Sequence, residues 1–464
     1  MHILLVNTSH VVGKHYVVLP PLNLGYIAEA ARRAGHTIDL VDAIKDDMGP
    51  REFGRLLDER GSSYDIMGFS YFSPMRANVL AFSRMARERF PSTPLVVGGP
   101  HPIFEPEETL QSAPWMDFAM TGEGEESFPA LLAELGNGHR FETVPNLAWR
   151  DGDVIRRTPG RPVDDIDKIP IPAWDLMRPD RYPLVPNGIF SGADRIAPVM
   201  LTRGCPYPCK FCGAPTKAGK AIRTRNAENV AAEAELLMAD YGVEELHVMD
   251  DVFTTKRANC VAVCEAFLRM KHTPRWMLPN GIRLDSLDEE LLRLLERAGC
   301  WSFAVGIESG SQRVLDLMDK RLDLSLVHEK VELIKRVSRI KITGFFMIGF
   351  PGETEQEMNT TIDLACSLPI DRANFFNYTP FPGGPLYYHL KESGKLGPQE
   401  SDRNLIYSVT YAPPGMTKER IKHLLQKAYC RFYLRPKILW GLVREIHSLD
   451  QVKNLLFRAW NILW

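Results

Sequence analysis

Three cysteines fall within eight residues, in the run Thr202-Arg203-Gly204-Cys205-Pro206-Tyr207-Pro208-Cys209-Lys210-Phe211-Cys212. The other five (Cys260, Cys264, Cys300, Cys366 and Cys430) are scattered, and none precedes Cys205. Eight cysteines in 464 residues do not make a disulfide scaffold, and clustered thiols point to metal. A zinc site wants four protein ligands, and no fourth Cys or His stands at finger-like spacing. Three thiolates in one loop suit a cubane iron–sulfur cluster, with one iron left for a ligand that is not protein. The plain alternative is three structural cysteines in a loop.

Such a loop has to be held by a scaffold, and the flanking patterns supply one. Up to residue 138 short apolar runs alternate with helical periodicity. Strands are expected at Ile3–Asn7, Thr37–Val41, Asp65–Ser70, Pro94–Gly98 and Asp117–Thr121. Helices are expected near Leu22–Ala34, Arg51–Arg60, Met75–Arg89, Pro106–Gln111 and Glu125–Leu135. Five βα units imply an open, doubly wound parallel sheet that binds ligands at the carboxyl ends of its strands. Those ends are small, polar or glycine-rich, as a large ligand requires: Asn7-Thr8-Ser9-His10, Ser70-Tyr71-Phe72, Gly98-Gly99-Pro100 and Thr121-Gly122-Glu123-Gly124-Glu125.

Residues 139–197 hold eight prolines and little periodicity, and read as a linker with a small hairpin around Asp151-Gly152-Asp153. From 198 to 383 the βα rhythm resumes. Its strands fit Val199–Thr202, Glu245–Asp250, Trp276–Pro279, Phe303–Ile307, Thr343–Gly349 and Asn374–Thr379, a partial parallel βα barrel with chemistry at the strand C-termini. Residues 384–464 read as a helical C-terminal region. Its last fifty residues carry ten Lys/Arg against three Asp/Glu, which suits a helical cap on the barrel, a cover over an apolar substrate, or a contact with a membrane surface.

Composition closes several classes. At 45% hydrophobic and 25% charged the chain is globular, and a net charge of −2 gives no pull toward nucleic acid. No apolar run approaches the ~18 residues of a membrane span. Met1–Val6 runs straight into a strand pattern, so no signal peptide and a cytoplasmic location are expected.

The C-x3-C-x2-C run, with Phe211 before its last cysteine, resembles the signature of the radical S-adenosylmethionine (SAM) enzymes, and the resemblance extends through Gly352. It implies a [4Fe-4S] cluster on Cys205, Cys209 and Cys212 whose open iron is chelated by SAM. The reduced cluster then cleaves SAM to a 5′-deoxyadenosyl radical, and a low-potential donor of flavodoxin or ferredoxin type supplies the electron. Phe211 would pack near the adenine. Asp250 and Asp251 stand where the family holds the methionine amine, although its common Gly-Gly-Glu form is absent. Arg283 could pair with the SAM carboxylate and Glu308 accept the ribose hydroxyls. Gly349, in Gly344–Gly352, would let the adenine approach the backbone.

A doubly wound domain ahead of such a barrel resembles the cobalamin-binding subclass, with Ser70 and the Gly98-Gly99 pair matching its pattern and Gly122 and Glu123 lining the same strand ends. The segment Thr8-Ser9-His10-Val11-Val12-Gly13 keeps the histidine and glycine of the axial-ligand pattern but lacks its aspartate. Cobalamin is therefore expected to bind without His10, with the ligating alternative left open. Residues 1–204 have no cysteine, which excludes the second cluster of methylthiotransferases.

The resemblance implies a methyltransferase acting on an unactivated carbon of a small-molecule or lipid-like substrate. Two alternatives remain: a radical cyclase, ring-rearranging or oxidising enzyme without net methylation, and a non-catalytic sensor. The substrate should lie between the two domains, with Tyr378–Gly384 and the apolar tail as lids.

Overall fold

The structure is a computed structural model. It describes residues 1–8, 18–60, 64–182, 193–396 and 409–446, and near the end of the chain 449, 451–453, 455, 456 and 460. Alternate residues of the first strand feed different cores. Leu4 and Val6 pack with Phe53, Phe82 and Leu110 on one side, while Ile3 and Leu5 pack with Ala28, Phe128 and Leu131 on the other. A strand apolar on both faces needs helices on both faces, the condition for a doubly wound sheet.

Seven strands make that sheet: β1 (His2–Asn7), β2 (Thr37–Asp42), β3 (Ile66–Ser70), β4 (Leu95–Gly98), β5 (Phe118–Met120), β6 (Leu147–Asp151) and β7 (Val154–Arg157). The order is β2-β1-β3-β4-β5-β6-β7. The first five are parallel as expected, and the order reverses at β1, so the ligand crevice opens beyond Asn7 and Ser70.

The segment expected as linker contributes to this sheet. The hairpin turns at Gly152 with φ +61°, and β6 pairs antiparallel with β5, setting Trp149 against Phe118. Leu147, Ala148 and Trp149 are buried. Three residues of strand pattern are too few to stand out among eight prolines.

After β8 (Ile196–Val199), β9 (Thr202–Arg203) forms a two-stranded ribbon with β10 (Arg223–Thr224). The second large sheet continues with β11 (Glu245–Val248), β12 (Arg275–Ile282), β13 (Cys300–Glu308), β14 (Lys341–Ile348) and β15 (Arg372–Asn377). Its order is β8-β11-β12-β13-β14-β15, every pair parallel and every strand beside its successor in chain order, which is the expected partial barrel. Helices between the strands start on side-chain caps at Asn226, Asp288 and Ser311, and on a full capping box at Thr354 and Glu357.

The helix Lys418–Tyr433 lies along β15. The Tyr429 hydroxyl accepts from Phe375 N (3.2 Å) and donates to Phe375 O (3.1 Å), and Tyr433 does the same at Ala373 (3.3 and 2.9 Å). Two phenols thus cover an edge that would otherwise offer its backbone to another strand. The next helix, Pro436–Arg444, sits at the opposite end of the barrel from the strand C-termini: Glu445 pairs with Lys341 and Arg372, the first residues of β14 and β15. This described part of the tail cannot cover the barrel mouth, so the expected lid is not formed by it. Among the described residues no helix is long and apolar enough to cross a membrane.

Candidate functional site

The cysteine loop leaves β9 through Gly204, whose φ is +99° and where a Cβ would stand 2.2 Å from Ala221 O, so only glycine fits. Three backbone bonds then fix the loop: Cys205 N to Gly219 O (3.0 Å), Lys210 N to Met318 O (2.9 Å) and Leu386 N to Lys210 O (2.9 Å). All three thiols are free; Cys205 and Cys209 are buried and Cys212 half-buried. Burial raises all three thiols, Cys205 to about 11, so thiolates here call for a positive partner. Iron would supply that charge, and the donor set fits a cluster. Among the described residues no three His, Cys, Asp or Glu converge on a single-ion site. A cubane needs no such convergence, because its thiolates bind different irons.

Around this loop stand Asp251, Arg283 and Glu308, together with a lysine that sequence reasoning missed. Glu308 ends β13 at φ +67°, a conformation costly for a residue with a Cβ. Its carboxylate meets Lys320 Nζ at 2.7 Å, and Gly306 leaves them room, since a Cβ there would stand 2.6 Å from Glu308 Oε1. Burial alone would lower the Lys320 ammonium, but Glu308 and Cys209 outweigh it and hold it above its ordinary value. The ammonium lies 5.8 Å from the centre of the Phe211 ring. Lys320 is thus the cation between the thiols and the Glu308 carboxylate. In the sequence it stands in Asp319-Lys320-Arg321, a charged run indistinguishable from a solvated turn.

Arg283 holds the scaffold. It donates to Asp285 (3.0 and 2.7 Å) and to Lys320 O (2.8 Å), and its guanidinium lies 4.0 Å from the ring centre of Tyr207 in the cysteine loop. Asp250 is also engaged by the chain: its oxygens accept from Leu201 N and Thr202 Oγ1, both at 2.8 Å. Burial pushes its carboxyl up to about 7. Of the aspartate pair, Asp251 faces the cavity, with Lys217 at 3.1 Å.

Gly349 has φ +84°, and its N–H and that of Phe350 donate to Glu353 Oε2 (2.8 and 3.0 Å). Glu353 Oε1 is buried without a partner, and burial, aided by Glu357 and opposed by Arg313, pushes this carboxyl up to about 8. The folded protein therefore keeps a proton that the unfolded chain releases near 4.5, and stability falls as pH rises from there to about 8, then levels. Glu353→Gln keeps an acceptor for both N–H groups and cannot ionise. Its urea-denaturation free energy is expected to lose this part of the slope, at most about 1.4 kcal/mol per pH unit. An unchanged slope between pH 5 and 8 would contradict the assignment.

The strand ends of the first sheet face this site across a cavity of about 520 Å³. Phe72, Gly98 and Gly122 line one side, and Thr202, Met249 and Asp251 the other. Ser70 stands at the same wall, its hydroxyl accepting from Asn23 Nδ2 at 3.0 Å. At Gly98 a Cβ would make only ordinary contact, 3.5 Å from Met120, whereas at Gly99, with φ +119°, it would stand 2.7 Å from Tyr71 O. At Gly122 it would stand 2.6 Å from the Asn146 amide. Gly98 therefore borders open space at the strand ends, where a bulky ligand of the first unit would lie. His10 lies outside the described residues.

Charge pairs and packing lock the units together. Glu123 accepts from Arg223 (2.7 and 2.8 Å), lies 3.2 Å from Arg203 and accepts from Val163 N (2.6 Å); Glu125 also pairs with Arg203. Burial would raise the Glu123 carboxyl, but the arginines and the Val163 bond hold it below the usual carboxylate range. Arg203 immediately precedes Gly204-Cys205, so the charges tie the β5 loop to the root of the cysteine loop. Nearby, the Phe104 ring fills the gap between Gly213 and Gly383, where a Cβ would stand 2.8 and 2.5 Å from it. Gly384 packs on the Phe211 carbonyl, so the segment expected as a lid is a packed wall. Arg203→Ala leaves Glu125 buried beside no arginine and is expected to lower stability by about 3 kcal/mol or more, with partial rescue by Arg203→Lys. A loss under about 1 kcal/mol in urea denaturation would show the pairs to be solvent-screened.

A model described as the radical SAM superfamily matches residues 199–365, and one described as a B12 binding domain matches residues 8–132. An uncharacterized methyltransferase of Pyrococcus horikoshii is 30% identical over 435 residues, covering 92% of this chain and 91% of that one. The anaerobic magnesium-protoporphyrin IX monomethyl ester cyclase of Cereibacter sphaeroides is 27% identical, covering 90% and 68%. Among solved structures, the radical S-adenosylmethionine methyltransferase TsrM of Kitasatospora setae superposes with a TM-score of 0.72 at 17% identity, covering 97% of this chain and 89% of that one, and shares the fold.

Proposed function

Because the chain belongs to the radical SAM superfamily, with a B12-binding domain ahead of its radical SAM domain, we propose that it is a methyltransferase placing a methyl group on an unactivated carbon of a small molecule. Its cofactors are a [4Fe-4S] cluster, SAM and cobalamin. The observation that carries the reading is a cavity of about 520 Å³ lined from both units. A substrate carbon there would reach both reagents without either leaving its site. When bound, the cluster and SAM supply a carbon-centred radical, and the corrinoid supplies the methyl group.

The chain's own residues position these groups. Cys205, Cys209 and Cys212 would ligate the cluster. Lys320 presents a cation suited to the SAM carboxylate, and Glu308, held by that cation, would accept the ribose hydroxyls. Arg283 acts through Tyr207 and the Lys320 turn rather than on SAM itself. Phe211 and the backbone at Gly349 would take the adenine, and Asp251 the methionine amine. Asp250 braces the loop. Ser70, Gly98, Gly99 and Gly122 would wall the corrinoid, while Glu123 holds the units in register through Arg203 and Arg223. Electrons would come from a low-potential donor of flavodoxin or ferredoxin type, in the cytoplasm.

Similarity to the cyclase supports a second reading, radical chemistry without net methylation. Methyl-labelled SAM separates the two. Cobalamin-loaded protein incubated anaerobically with a reductant and a small-molecule cell extract is expected to transfer label to a product. Deoxyadenosine formation with an altered but unlabelled product would favour the second reading, and no deoxyadenosine at all would favour a sensor.

A further inference from the structure

A helix on a globular surface ordinarily has one apolar face and one polar face. The helix Pro436–Arg444 has two apolar faces. Ile438 is buried, Leu442 packs beside it against the core, and Glu445 pairs with Lys341 and Arg372. That face needs no further partner. Leu439, Trp440 and Val443 nevertheless stand exposed at 42%, 59% and 57%. At about 100° per residue these three share one arc, roughly 100° wide, turned away from the core face. Lys437 and Arg444 fall beside that arc, the Arg444 guanidinium 4.8 Å from the centre of the Trp440 ring. Leu434 just before the helix, and Leu449, Leu456 and Trp460 beyond it, are also exposed.

Charge selects the occupant. Residues 415–464 carry a formal +7, against −9 for the rest of the chain. An apolar strip with a tryptophan and a basic border fits the boundary between headgroups and acyl chains, where indole is favoured and Lys and Arg reach phosphate. We propose that this face is a monotopic contact with a membrane surface rich in anionic phospholipid. Leu439, Trp440 and Val443 enter the boundary layer while Lys437 and Arg444 meet the phosphates. Because the helix sits at the N-terminal end of the barrel strands, the cavity stays open to the side away from the bilayer. The contact therefore places the enzyme at a membrane without requiring its substrate to be drawn from it, and it stands whether or not methyl transfer is the reaction.

Full-length protein is mixed with vesicles of phosphatidylcholine alone or with phosphatidylglycerol, at low and high salt, and binding is read by sedimentation. Binding is expected to need phosphatidylglycerol and to fall with salt. Leu439→Glu with Trp440→Glu should weaken it on the order of tenfold or more, and Lys437→Glu with Arg444→Glu should remove the preference for the anionic lipid. Because vesicle binding can be read without variants, tryptophan quenching by brominated acyl chains in the unaltered protein provides a check independent of their folding. No sedimentation and no quenching would overturn the proposal. Binding unchanged in both variants would overturn it as well. So would a dimer that the Leu439/Trp440 variant converts to monomer without any lipid binding, which would assign the face to a second copy of the chain.

Discussion

Cys209→Ala protein, reconstituted anaerobically with iron and sulfide, is expected to hold no [4Fe-4S] cluster and to form 5′-deoxyadenosine only at the level of a protein-free control. The loop does not depend on the thiol for its shape. Its backbone is pinned at Cys205, Lys210 and Leu386 by main-chain bonds, and the turn Cys212 N to Cys209 O (3.1 Å) survives with alanine. The variant should therefore fold, so that loss of iron reports the ligand rather than the scaffold. Three protein thiolates are the minimum that leaves one iron open to SAM, and two cannot hold the cubane in place. Iron content and absorbance near 400 nm check the first half of the expectation, and chromatography of deoxyadenosine the second. Normal iron and normal cleavage in the variant would remove Cys209 from the cluster.

The second large effect lies in the other unit. Gly98→Leu is expected to weaken cobalamin binding roughly ten- to a hundredfold, the consequence of forcing a side chain into space the corrinoid needs. Position 98 has room for a Cβ at 3.5 Å from Met120 and no left-handed backbone requirement, so the rest of the leucine projects into the cavity without distorting the strand. Cluster content and substrate-free deoxyadenosine formation should be retained, because the cysteine loop belongs to the other sheet. Gly99→Ala makes the contrast. There φ is +119° and the Cβ meets Tyr71 O at 2.7 Å, so even one methyl strains the loop and should lower stability itself. Retention of full cobalamin affinity by Gly98→Leu, measured spectrophotometrically on folded protein, would move the corrinoid away from this wall.

Much of this architecture could be read before the structure. Apolar runs on the scale of a strand, separated by helical periodicity, placed five parallel strands of the first sheet and five of the six in the second, because those strands are buried on both faces and carry little else. The remaining strand, expected at Val199–Thr202, runs instead over Ile196–Val199. The cysteine loop was legible because its chemistry is local: spacing and residue type are enough. What depends on distant contacts was not. Lys320 looks like part of a solvated turn until Glu308, Phe211 and Cys209 are seen around it. Phe104 carries no signal that it will fill the gap between Gly213 and Gly383, and Arg203 and Arg223 none that they face Glu123 and Glu125. Asp250 and Asp251 are equivalent in sequence, and only the structure separates the one that accepts from the loop backbone from the one that faces the cavity. The apolar tail allowed a lid or a membrane contact beside the favoured helical cap. Its seat at Lys341 and Arg372 decides against the first.

One measurement bears most directly on the central claim, that both cofactors act in one cavity to move a methyl group. Protein loaded with cluster and reduced cobalamin is incubated anaerobically with a low-potential reductant, methyl-labelled SAM and no substrate, and the corrinoid is then separated and counted while deoxyadenosine is quantified in the same sample. Labelled methyl co-purifying with the corrinoid, together with deoxyadenosine, is the predicted result. Deoxyadenosine without label on the corrinoid would contradict methyl transfer, and the absence of both would contradict the cofactor assignment on which the reading stands.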